Sequence, residues 1–294
     1  MRLSVSLTNY SWRDVPLVDG LVRAAVTADE GGLDTVWVPD HLAQVDPTVP
    51  AEADDMLEAY SVLAYLASRT ERVRLGALVT NVALRPPALL ANAVATLDTL
   101  SGGRAWLGIG AGYDTSETAD LGVPTLPTGE RFELLEETVR VVTQMFAGDA
   151  TPITGAHVRL DRPFLRPRPA KGIPLLIGGA GEQRTLRLVA EHADACNLFD
   201  LPDDGATVRH KLDVLARHCE SVGRSREEIQ TTLSTRLAPA ETTADLVARC
   251  ERVAGWGVEH LIFVSSTPWA PADLDVLVSA AADVTGLRTE RRTP

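Results

Sequence analysis

The feature that most constrains this chain is an alternation: eight apolar, β-rich segments, each followed by a segment with helical spacing of apolar residues. It is plainest around Arg74 to Gly112. There an apolar strand (VRLGALVTNV) leads through Arg85-Pro86-Pro87 into an apolar helix, a Gly-Gly-Arg turn and a second strand ending in LGIGAG. Strand, helix and strand on this scale make one βαβ unit of a parallel sheet. Eight such strands predict an α/β chain folded as a (β/α)8 TIM barrel. A doubly wound sheet is the alternative. The barrel is preferred because no nucleotide fingerprint opens the first βα turn.

The strands are expected in RLSVSLTNY, TVWVPDH, VRLGALV, RAWLGIGAG, IPLLIGG, ACNLFDL, IQTTLSTRLA and HLIFVSS. The helices are expected from Pro16 to Gly32, through MLEAYSVLAYLASRT, from Pro87 to Leu100, from Gly129 to about Ala147, and in EQRTLRLVAEHA, HKLDVLARHCESVG and TADLVARCERVAGWG. A last helix is expected around Asp273 to Val284, and the tail TERRTP reads as frayed. After the fourth strand the alternation pauses over about 121–172, where a Pro- and Arg-rich passage reads as a short hairpin or extended excursion. It is either a rigid surface connection or a lid. The whole of 1–294 reads as one domain with this insertion.

With 294 residues, 45% apolar and 23% charged, the chain has the composition of a globular protein and the length of one barrel. A net charge of −12 argues against general nucleic-acid binding. Cys196, Cys219 and Cys250 are far apart and lack metal-ligand spacing, so a reducing compartment is expected. The amino terminus has no apolar segment of signal-peptide length, and no run approaches the ~18 apolar residues of a membrane span. The expected location is cytoplasmic, with no membrane partner.

In a barrel, functional residues lie at the carboxyl ends of the strands. That rule selects Asn9 and Tyr10, Asp40 and His41, Leu78 to Asn81, Gly110 to Tyr113, Gly178 to Gly181, Asn197 to Asp200, Thr235 and Arg236, and Ser265 and Ser266. Asp40-His41 is the place where an acid and a histidine meet at a strand end. Either His41 exchanges a proton near neutral pH with the carboxylate tuning its charge, or Asp40 caps a turn and His41 packs. The clusters Gly108, Gly110, Gly112 and Gly178, Gly179, Gly181 either admit a flat ring or phosphate to the backbone or make tight βα turns. There is no Walker A sequence, zinc motif, nucleophile elbow or paired-cysteine motif, so no metal is expected.

These residues resemble the luciferase-like family of flavin and deazaflavin oxidoreductases, and most closely its branch that uses coenzyme F420. The resemblance is carried by WVPDHL at 37–42, MLEAYSVLAYLASRTERVRLGALVTNV at 56–82, RPPALLANAVATLDTLSGGRAWLGIGAG at 85–112, ERFELLEETVRVV at 130–142 and IPLLIGGAGEQRTLRLVAEHADACNLF at 173–199. It implies a barrel with an excursion after strand four, and a non-proline cis peptide in strand three at Leu78-Val79. It also implies a deazaflavin across the barrel mouth, contacting Asp40, Leu78, Val79, Thr80, Gly110, Ala111 and Gly112. The cofactor's phosphate would lie on Gly178, Gly179, Ala180 and Gly181.

His41 is then the expected proton donor or acceptor, with Asp40 beside it, in hydride transfer between coenzyme F420 and a small organic molecule. Use of FMN by a monooxygenase of the same superfamily is the alternative, and a barrel that binds flavin without turnover is a third reading. The sugar-phosphate dehydrogenases of the F420 branch have a glutamate where this chain has Tyr113, so sugar-phosphate oxidation is not expected. Tyr113 would line the substrate pocket or donate a hydrogen bond, with Glu117 a weak substitute for the carboxylate. For the oligoglutamate tail of F420, a basic path is expected in Arg159, Arg162, Arg166, Arg168 and Lys171, with Arg184 and Arg187 beside the phosphate loop. Family members are often homodimers, which makes a homodimer one expected partner state.

Overall fold

The computed structural model describes residues 1–44, 55–112, 119–123 and 125–287. Its strands are β1 (Arg2–Ser6), β2 (Thr35–Val38), β3 (Arg74–Ala77), β4 (Thr80–Asn81), β5 (Ala105–Gly110), β6 (Ile153–Thr154), β7 (Arg159–Leu160), β8 (Leu175–Gly178), β9 (Ala195–Phe199), β10 (Gln230–Thr235) and β11 (His260–Phe263). The described helices are α1 (Leu17–Glu30), α2 (Ala59–Ala67), α3 (Pro87–Ser101), α4 (Thr128–Ala147), α5 (Thr185–His192), α6 (Ala206–Val222), α7 (Thr243–Ala254) and α8 (Pro271–Val284).

The large sheet runs β3-β2-β1-β11-β10-β9-β8-β5-β4, and pairing of β3 with β5 closes it. All its pairings are parallel. Because β4 continues the course of β3, the closed wall has eight staves, as the sequence predicts.

Local chemistry sets several ends. The second helix begins at Ala59, later than its apolar spacing suggests, because the Glu58 carboxylate accepts the N–H groups of Tyr60 and Ser61 and caps it there. α3 stops where Gly102 takes the left-handed φ of 71°. The third strand, expected to run unbroken through Val79, ends at Ala77. The Leu78–Val79 peptide is cis, and β4 resumes the ladder at Thr80. At the amino-terminal face of the barrel, Arg104 donates to the carbonyls of Ala67, Thr70, Val73 and Ser101, joining the ends of α2 and α3.

The excursion after β5 contains α4 and the antiparallel β6–β7 pair. The Glu137 carboxylate, on α4, accepts the N–H groups of Ala156, His157 and Val158 at 2.6, 3.1 and 2.8 Å. These charge-assisted bonds fasten the hairpin turn to the helix flank. Arg168 bonds to the Gly148 carbonyl, at the C-terminal end of α4. That is about 25 Å along the helix from Arg131, which touches the barrel mouth. Arg159 pairs with Asp161 and Arg162 lies over Phe164. Of the residues of the expected basic path, Arg168 is held at the opposite end of α4 from Arg131.

The barrel interior is drawn from five of the strands. Trp37, Trp106, Leu176, Ala195 and Ile262 form one buried cluster inside the wall, with the Trp37 and Trp106 rings 5.9 Å apart. A larger core lies between the wall and the helices. Cys196, Cys219 and Cys250 are buried and unbridged, and no described helix is long and apolar enough to cross a membrane.

His260 is completely buried at the foot of the interior and hydrogen-bonded through Nε2 to the Ser4 hydroxyl. Burial lowers its pKa to about 4, against an opposing pull from Asp34. In the unfolded chain a histidine titrates near 6.5. The folded state thus binds the proton less readily, and the associated stability is complete above pH ~6.5 and is lost as pH falls through that value toward 4. The loss is on the order of 3 kcal/mol. Thermal unfolding of wild type and His260→Gln between pH 7 and 4 should show a steeper fall for wild type. Parallel curves would refute this reading of His260.

Candidate active site

Side chains alternate across a strand, so the interior cluster fixes which residues face the barrel mouth. Trp37 points inward on β2, Trp106 on β5, Leu176 on β8, Ala195 on β9 and Ile262 on β11. Two residues beyond each come Pro39, Gly108, Gly178, Asn197 and Val264. Asn197 confirms the phase: its amide donates to Thr232 and accepts from Ser234, at 2.9 and 3.1 Å. One more step brings Gly110 and Phe199, the last residues of β5 and β9, to the rim, and His41, Ala180 and Ser266 follow in the loops beyond β2, β8 and β11.

The glycines on this list have a specific neighbour. A Cβ at Gly110 would stand 2.8 Å from Val79 Cγ2, and one at Gly178 would stand 2.9 Å from Val79 Cγ1. Val79 therefore lies across β5 and β8, in space that those strands leave free by having no side chains there. Leu78 and Val79 both pack on the interior cluster beneath them and are half-buried. Together they form a low apolar floor bordered by bare backbone, a surface that fits a flat ring. Gly112, at φ 71°, leaves room for the Asn81 side chain. Ala111 packs outward against the helix-side core.

After β8 the chain passes through Gly179 at φ 114° and Gly181, and reaches α5 at Thr185. The N–H of Gly179 bonds to the Asn197 carbonyl. Those of Ala180, Gly181 and Glu182 donate to no acceptor among the described residues. Free N–H groups ahead of a helix form a cradle for an anion, and this loop fits a phosphate.

The chain's arginines are used around this rim. Arg184 donates to the Gly129 carbonyl and lies over Phe132, and Arg187 pairs with Glu136 and Glu191. Arg131 donates to the Gly112 carbonyl, which ties the start of α4 to the end of β5.

Asp40 stands differently from the expectation. It is 2% exposed and accepts a bidentate pair from Arg85 at 2.7 and 2.9 Å, together with the N–H of Asn81 at 3.0 Å. Arg85 also pairs with Glu58 and lies over the Tyr60 ring. The carboxylate thus faces the helix layer and joins the end of β2 to β4 and to the start of α3. The expected pairing of carboxylate with histidine gives way to a structural tie, because the fork of Arg85 is the stronger partner for a buried carboxylate.

His41, next in sequence and three residues past the end of β2, is half-buried, with contacts of its own. The Thr80 hydroxyl meets the Tyr60 hydroxyl at 2.7 Å, also on the helix side. Thr235 and Asp200 bond to each other there and are joined by Arg249 from α7, so neither side chain points into the mouth. Tyr10 is wholly buried and its hydroxyl has no hydrogen-bond partner among the described residues, and burial raises its pKa. Tyr113 and Glu117 lie outside the described residues. Sequence reasoning missed Arg85 as the partner of Asp40; its signal was a lone cation at the start of the helix after β4.

The family model described as luciferase-like monooxygenase matches residues 1–283. Among curated proteins, the chain is similar to an F420-dependent glucose-6-phosphate dehydrogenase of Kineococcus radiotolerans. The two are 33% identical over 228 residues, which is 76% of this chain and 65% of that protein. It is also 30% identical over 249 residues to 4-hydroxyprotoasukamycin monooxygenase of Streptomyces nodosus subsp. asukaensis, covering 80% of this chain and 62% of that one. The matches thus span slightly less than two thirds of these relatives' length.

Among solved structures, an F420-dependent secondary alcohol dehydrogenase in complex with an F420-acetone adduct superposes with a TM-score of 0.81 at 18% identity, covering 95% of this chain and 97% of that one. The coenzyme F420 dependent tetrahydromethanopterin reductase from Methanopyrus kandleri gives 0.76 at 17%, with coverage of 95% and 97%. At these identities the structural likeness is one of fold.

The floor can be tested on its own. Gly110→Ala should cost about 1–3 kcal/mol by pushing a methyl into Val79. Adding Val79→Ala should recover part of that loss, an interaction of about 0.5–3 kcal/mol in a double-mutant cycle. Strict additivity in urea unfolding would show that Val79 does not need the Gly110 space.

Proposed function

The chain belongs to the luciferase-like monooxygenase family, and from that premise we propose that it is an F420-dependent oxidoreductase acting on a small organic molecule other than a sugar phosphate. The observation that carries the proposal is the floor of Leu78 and Val79 beside Gly110 and Gly178, with an anion cradle one loop away. A flat ring and a phosphate are the two parts of a deazaflavin cofactor that a protein must hold, and these residues fit both. The similarity to proteins named as F420-dependent supports the same choice.

When bound, the deazaflavin supplies hydride exchange with a carbon of the substrate. The protein's share is geometry and proton handling. Leu78, Val79 and the backbone of Gly110 to Gly112 would hold the ring and shield it from water. The N–H groups of Ala180 to Glu182 hold the phosphate without spending a charged side chain. His41 gives or takes the proton that accompanies hydride transfer. Asp40 serves indirectly, since its bonds to Arg85 and Asn81 fix the backbone on either side of the floor. A second copy of the chain is the proposed partner.

FMN is the competing cofactor, because the floor itself suits any isoalloxazine-like ring. Titrating the apoprotein with F420 and with FMN, following the fluorescence of each, separates them. The proposal requires tighter binding of F420, and a clear preference for FMN would overturn it. With the F420-loaded enzyme and a turned-over substrate, His41→Ala should lower kcat by about 10²- to 10⁴-fold and leave F420 affinity nearly unchanged. An unaltered kcat would remove His41 from the proton step.

A further inference from the structure

We infer that Phe199 is a wall of the substrate site, and that the molecule it receives is flat, unsaturated and uncharged. Phe199 ends β9, two residues beyond Asn197 and four beyond Ala195, both inward-facing. Alternation therefore directs its ring over the barrel mouth. There it is 58% exposed, and Leu201 on the same loop is 46% exposed. A large aromatic side chain at an inward rim position contributes nothing to the barrel core while it stays this exposed. It is placed to meet a ligand.

The order of strands adds position. Counting round the closed wall, β9 lies four staves from β2 in either direction, so Phe199 stands across the mouth from His41. The Leu78–Val79 floor and the glycines of β5 and β8 occupy the arc on one side between them. A molecule resting against Phe199 therefore lies between an aromatic face and the proton-handling histidine, next to the floor.

Charge selects among such molecules. Arg85 is held by Asp40 and Glu58, and Arg131 by the Gly112 carbonyl and Thr128. Arg249 is held by Glu241 and Thr235, and Arg236 on β10's end already has a partner. Each of these cations is already engaged within the protein. A phosphate or carboxylate brought to the Phe199 side would lose its hydration and compete for an occupied guanidinium. An uncharged conjugated ring loses little, and it gains the offset or edge-on contact that aromatic faces favour.

The inference rests on the proposed function only in choosing a conjugated ketone as the probe. Calorimetric titrations with 4-phenylbut-3-en-2-one and with glucose 6-phosphate, on wild type, Phe199→Ala and Phe199→Leu, test it alongside F420 titrations of the same proteins. Wild type should bind the ketone, Phe199→Ala should bind it about three- to tenfold more weakly, and Phe199→Leu should fall between. Glucose 6-phosphate should not bind, and F420 affinity and thermal stability should be alike in all three. An unchanged ketone affinity in Phe199→Ala, no ketone binding to wild type, or tighter binding of glucose 6-phosphate would overturn the inference. If the ketone binds as expected but F420 does not bind, the cofactor proposal fails and the assignment of Phe199 stands.

Discussion

The mouth of this barrel is organised by one packing constraint. Val79 lies across two neighbouring strands, and both have glycine where its methyl groups come to rest. A barrel of eight staves leaves only enough interior space for its own side chains. A side chain entering from the end of β3 therefore requires that others be absent. The absent ones are at Gly110 and Gly178, and Gly108 beneath them gives way to the Ala77 carbonyl. The same glycines leave bare backbone at the rim. One steric requirement thus produces both a supported apolar floor and the open strip beside it.

Charge is arranged so that the floor stays apolar. The Asp40–Arg85–Glu58 network lies behind the wall, in the helix layer, and ties together the segments before and after the cis peptide. Removing one member of such a buried pair costs about 3–5 kcal/mol, because its partner is left charged without compensation. The network therefore positions the floor without sending a charge into it. On the far side of the mouth, Thr235, Asp200, Arg249 and Glu241 form a second network that also faces the helices. Among the described residues, the Phe199 ring, the Leu78–Val79 floor and free backbone N–H groups are placed toward the opening.

Much of this was legible in the sequence, and the rest was hidden for physical reasons. Strand and helix periods of two and 3.6 residues are local, so the eightfold alternation and the excursion could be read directly. The glycine clusters could also be read, but as space for a ligand. That part of the space belongs to Val79 depends on a contact between residues thirty and a hundred positions apart. The exchange of roles at Asp40 was hidden in the same way. WVPDH brings an acid and a histidine together in sequence, yet the partner of the acid, Arg85, lies in another loop. Phe199 fell within the strand-end residues 197–200, where only the phase set by Asn197 separates the inward ring from the outward Asp200.

The central claim is that the floor at Leu78 and Val79 receives a deazaflavin ring while the loop after β8 holds its phosphate. A crystal structure of the protein with F420 bound measures both at once. The account predicts the ring in van der Waals contact with Leu78 and Val79, and phosphate oxygens accepting from the N–H groups of Ala180, Gly181 or Glu182. A ring stacked on Phe199 instead, or a phosphate bound away from that loop, would contradict it.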